Sequence, residues 1–121
     1  MSWTYRQDTG ELAHDGRSVA HGYSGNNAGL NNPAAEDQHN VGPIPRGAWH
    51  IQALTVGQTP HGPFVLHLVP LPSTDTYGRS GFLIHGDSAL HPGTASEGCI
   101  IMPRLVREAV WASGDRELTV I

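Results

Sequence analysis

Alternation of apolar and polar positions dominates this chain, and it predicts short strands. Trp3, Tyr5 and Gln7 fall on one side of the first segment, and Asp8-Thr9-Gly10 offers a turn. Leu12 follows, His14-Asp15-Gly16 makes a second turn, and Arg17 to Tyr23 reads as another strand. Successive strand side chains point to opposite faces, and Asp-Gly pairs supply the turn geometry that lets a strand reverse. From Ala48 to Val56 the pattern returns, with Trp49, Ile51 and Ala53 opposing His50, Gln52 and Leu54. After a turn region from Gly57 to Gly62, Phe64, Leu66 and Leu68 oppose Val65, His67 and Val69. The two runs predict an antiparallel hairpin that Pro70 and Pro72 end.

The remaining segments depart from this period. Gly81 to Ile84 is a short apolar strand ending at His85, and Cys99 to Met102 is another. Behind Pro103, Leu105, Val106, Ala109 and Val110 recur at helical spacing as far as Ser113-Gly114, which predicts one short helix with a glycine stop. Leu118 to Ile121 closes as a strand. Ser24 to Arg46 has no period and is rich in Gly, Asn and Pro, so it reads as a long loop of the kind that is commonly functional. The expected fold is a mainly β single domain over residues 1–121 with one short C-terminal helix.

Composition narrows the function. With 15 Gly and 9 Pro in 121 residues, the chain cannot be mostly helix. The formal charge is −4 with seven Arg and no Lys; without a basic stripe, nucleic acid is a poor partner. No apolar run approaches the roughly 20 residues of a membrane span, and the first residues lack the apolar centre of a secretory signal. The single cysteine, Cys99, allows neither an internal disulfide nor a multi-cysteine zinc site.

That cysteine lies in the informative run FLIHGDSALHPGTASEGCIIM, residues 82–102. If the strands holding His85 and Cys99 are neighbours, an imidazole comes near a thiol. A thiol with a pKa of about 8.5 is mostly protonated at neutral pH, and an adjacent imidazole can activate it for attack on an amide carbonyl. In the Ser96-Glu97-Gly98-Cys99 turn, the N–H groups of Gly98 and Cys99 are candidate oxyanion donors, and Gly98 permits close approach of substrate. Asp87 either orients His85 or caps its own turn. Ser96 either bonds near the histidine or shapes the turn. His91 is a rival base.

His85, a 13-residue spacer to Cys99 and the Ser96-Glu97-Gly98-Cys99 turn together resemble the L,D-transpeptidases. The resemblance is closer still to the type VI secretion effectors built on that catalytic domain, through His85-Gly86-Asp87-Ser88, Ala95 to Ile100, Tyr23-Ser24-Gly25, Asn31-Asn32-Pro33 and Gly42-Pro43-Ile44-Pro45 with Gly47. The resemblance covers about Trp3 to Ile121. It implies a β-sandwich-like fold, no cofactor or metal, and peptidoglycan stem peptides as substrate. Cys99 would attack the carbonyl of the third stem residue and expel terminal D-alanine. The acyl-enzyme would then pass to water, a D-amino acid or a stem amine. The resemblance also implies Tyr23, Ser24 and Asn32 as groove residues; Arg104 and Arg107, next to the strand of Cys99, offer either a partner for a substrate carboxylate or a solvated helix face. It implies delivery by a secretion machine to the periplasm of a target bacterium, and a cognate immunity protein. Two positions depart from the housekeeping enzymes: Glu97 stands where a second histidine is common, and Ile101 where Asn or Arg is common. These departures favour hydrolysis or exchange over crosslinking. Two rival readings remain: a zinc peptidase using His85, Asp87, His91 and Cys99, and a non-catalytic glycopeptide-binding module.

Overall fold

The computed structural model describes residues 2–121. Among the described residues, nine strands and one α-helix form the main regular elements: β1 (Trp3–Tyr5), β2 (Glu11–His14), β3 (Arg17–His21), β4 (Tyr23–Ser24), β5 (Gly47–Thr55), β6 (Val65–Pro70), β7 (Leu83–His85), β8 (Ile100–Ile101), α1 (Arg104–Ala112) and β9 (Glu117–Val120). The fold is mainly β, as the alternation predicts. All nine strands belong to one sheet, in the order β3-β2-β1-β9-β5-β6-β7-β8-β4. Its two edge strands, β3 and β4, are separated in the chain by Gly22 alone, so the sheet nearly closes on itself. The closure is tight. A Cβ on Gly22 would lie 1.8 Å from the carbonyl oxygen of Ile101, and one on Gly10 would lie 1.9 Å from that of Gly22.

Local chemistry explains the turns. Asp15 and Gly16 both have positive φ (49° and 82°), as a two-residue type I′ hairpin between β2 and β3 requires. The loop 24–46 contains two short 3₁₀ turns, Asn27–Gly29 and Pro33–Ala35. Its asparagines serve backbone geometry: Asn27, Asn31 and Asn40 all have positive φ, which Asn tolerates better than other side chains. The loop is tied down by Glu36, a buried carboxylate that accepts from Gln7 Nε2 and from the backbone and guanidinium of Arg46. Burial alone would raise its pKa, but those donors bring it down to about 2.

Two patterning expectations need correction. A register shift between Ile51 and Ala53 turns Ala53 out to solvent and leaves Leu54 packed against the core, because one extra residue in a strand reverses the faces beyond it. On α1, Leu105 is 79% exposed and Ala109 also faces out; the buried positions are Val110 and Arg107. Arg107 is buried because its guanidinium donates to the carbonyl oxygens of Met102, Phe64 and Pro63. A buried charge needs such partners, and no apolar pattern reveals them. Trp3 and Trp49 are core, and Trp111 packs at its margin.

Candidate active site

The strands carrying His85 and Cys99 are neighbours. They pair in parallel, with Ile84 opposite Ile100 and His85 opposite Ile101. His85 therefore sits two residues further along the ladder than Cys99, an offset of about 7 Å at the usual strand rise. Both side chains line one cavity of about 350 Å³, together with His39, His61, Arg79, Phe82, Glu97 and Gly98.

The imidazole is fixed in a defined form. His85 is 2% exposed, and its Nδ1 lies 2.9 Å from the carbonyl oxygen of Gly86. A carbonyl can only accept, so Nδ1 carries the proton and Nε2 presents a bare lone pair. Nε2 is buried and has no hydrogen-bond partner. Burial lowers the His85 pKa, with the charges of His61 and Arg107 acting in the same direction and the Gly86 carbonyl and Asp87 opposing it. The ring is thus a neutral base at pH 7.

Cys99 is 8% exposed. Burial pushes its thiol up to about 11; the charge of Glu97 adds to this, while the Leu83 backbone and Arg79 pull the other way. At rest the Sγ–H donates to the carbonyl oxygen of Gly81 at 3.6 Å. No hydrogen bond joins the sulfur to the imidazole, so the resting pair is a thiol and a neutral ring sharing a cavity.

The turn before Cys99 is built by Ser96. Its hydroxyl is fully buried, donates to the carbonyl oxygen of Cys99, and accepts from the N–H groups of Gly25 and Gly98. The Gly98 N–H is therefore engaged, which leaves the Cys99 N–H as the donor this turn can offer. Gly98 has φ +135°, and a Cβ there would lie 2.5 Å from Arg79 Nη2; only glycine fits.

The other sequence candidates lie around this centre rather than in it. Ser24 is buried, donating to the Gly98 carbonyl and accepting from Ile44 N–H, so it braces the turn before Cys99. Asn32 caps the second 3₁₀ turn through Ala34 N–H. Asp87 accepts from Tyr23 Oη at 2.6 Å and from the N–H groups of Ser88 and Gly93. It holds its own loop and makes no hydrogen bond to the His85 ring. Tyr23, whose hydroxyl is raised to about 12 by burial and by Asp87, also accepts from Ala95 N–H. Tyr23, Asp87 and Arg104 line a second cavity of about 420 Å³ with Met102 and Arg107. Arg104 pairs with Glu108. His91 is exposed. Among the described residues, the one three-member group with metal-ligand spacing is His14, Asp15 and Asp115; none of these lines either cavity.

Two cavity residues carry no motif in the sequence. Arg79, 7% exposed, donates to the carbonyl oxygens of Glu36, Pro43, Gly42 and Glu97. It ties the long loop to the turn before Cys99. His61, from the β5–β6 connection, lies against His85 with ring centroids 4.6 Å apart. A lone Arg or His in a loop gives no periodic or spacing signal by which either could have been found.

The nearly closed sheet, with a cysteine and a histidine lining one cavity, defines a mainly β protein. The sequence model of the Tlde1 domain matches residues 18–117, and the chain belongs to that family of type VI secretion effectors. No curated protein and no solved structure matches the chain.

Proposed function

We propose that the protein is a peptidoglycan-targeting cysteine enzyme that cleaves the L,D bond of tetrapeptide stems, as an L,D-carboxypeptidase or a D-amino-acid exchange transpeptidase. The observation that carries this reading is His85, whose Nε2 is buried and bare, lining the same cavity as Cys99. A substrate entering that cavity displaces the contact between Sγ and Gly81. The thiol proton passes to His85 Nε2 as sulfur attacks the carbonyl carbon of the third stem residue. The Cys99 N–H stabilises the oxyanion. Collapse of the tetrahedral intermediate breaks the C–N bond, and D-alanine leaves with the proton returned by His85. Water or a D-amino acid then resolves the thioester.

Membership of an effector family supports delivery to a target bacterium. Action in its periplasm, a secretion-machine partner and a cognate immunity protein belong to the same reading. The test is release of terminal D-alanine from purified tetrapeptide muropeptides, followed by mass. Wild type should release it, and Cys99→Ala and His85→Ala should not. A Cys99→Ala protein with full toxicity would instead favour a binding module.

A further inference from the structure

His61 is unassigned by the mechanism above, yet its ring is the nearest aromatic neighbour of the base. It comes from the connection between β5 and β6, the residue is exposed, and it stands at the cavity with its ring tilted 34° to that of His85 and 4.6 Å away. The one hydrogen bond that orients His85 is Nδ1 to Gly86. His85 is almost fully buried, and the His61 ring is packed against it where both residues line the cavity.

We propose that His61 is a positioning residue for His85: its neutral ring holds the base with Nε2 in the cavity, and its protonated ring opposes the imidazolium that forms when Cys99 gives up its proton. The inference rests on the function proposed above. His61 takes no proton from substrate and forms no bond to it. The thiol proton goes to His85 Nε2 and from there to the leaving amine. The groups acting on His85 come from every side: Arg107 from α1, Asp87 from its own loop, His61 from the β5–β6 connection, and Cys99 from the nucleophile turn. Arg79, Glu97 and His39 line the same cavity. Of these, His61 is the one whose ring lies against that of the base.

The experiment separates the ring from its charge. His61→Phe keeps an aromatic face and removes the charge; His61→Ala removes both. The exposed position makes both substitutions compatible with folding. D-alanine release is measured from pH 5 to 9, and the His85 ring is titrated by NMR in the same proteins. With His61→Phe, kcat at pH 8 stays within about twofold of wild type. The acidic limb of kcat/KM and the His85 titration move together to higher pH, by up to ~0.7 unit for two charges this close in water. With His61→Ala, kcat at pH 8 falls roughly tenfold, the scale of a misplaced catalytic group, while KM changes little. An unchanged His85 titration in both variants, or a rise in KM with kcat intact, overturns the proposal; the latter would make His61 a substrate contact. If wild type releases no D-alanine, the proposed function fails, and the NMR titration still decides whether His61 acts on His85.

Discussion

A buried neutral thiol should be slow to alkylate in the free protein, and its rate should climb with pH well past neutrality. With the Cys99 pKa at about 11, the thiolate fraction at pH 7 is on the order of 10⁻⁴. An ordinary thiol of pKa about 8.5 is about 3% ionised at that pH. The ratio is roughly 300-fold. A more basic thiolate is intrinsically more nucleophilic, by about tenfold over this pKa gap for a Brønsted slope of 0.4–0.5. Cys99 should therefore react with iodoacetamide about 20–30 times more slowly than a small-molecule thiol at pH 7. The rate should rise close to tenfold per pH unit up to at least pH 9. Because no bond joins Sγ to the ring at rest, His85→Ala should leave this profile nearly unchanged, even though the proposed mechanism requires it to abolish turnover. Stopped-time alkylation followed by intact mass measures both. A rate that levels off below pH 8 in wild type, and loses that plateau in His85→Ala, would refute the argument: it would mean that a thiolate–imidazolium pair already exists without substrate.

Sheet closure and the loop clamp give two further expectations. Gly22→Ala places a Cβ against the backbone of Ile101, where nothing can yield without opening the β4–β8 pairing. Thermal unfolding should show a loss of about 3 kcal/mol or more, as for other overpacked backbone contacts, whereas Gly16→Ala, with open space at its Cβ position, should lose less. Glu36 has a folded pKa held near 2 against the ordinary carboxyl value of 4.5. Its contribution is present above the unfolded value and is lost as pH falls through the folded one, between about pH 4.5 and 2. Allowing for the solvent that screens the half-exposed Arg46, it should amount to roughly 2 kcal/mol. Glu36→Gln should flatten the decline in stability across that window, read by urea unfolding at stepped pH.

The chain's periodicities gave the β class, the hairpins, the helix and its stop, because each depends on residues close together in sequence. Asp15-Gly16 specifies its own turn, and Pro103 and Gly114 bound the helix whatever surrounds them. The motif around His85 and Cys99 was legible for the same reason: fixed residue types at fixed spacing. What the tertiary structure decided lies between segments distant along the chain. Parallel pairing of β7 with β8 sets the offset between base and thiol. The burial that keeps the thiol protonated and the ring neutral comes from elements far from either residue. Ser24 and Asn32 match the motif yet brace loops, and Arg79 and His61 match nothing yet stand at the cavity. A side chain's pKa and its partners are properties of the packed environment, which residue order along a strand does not encode.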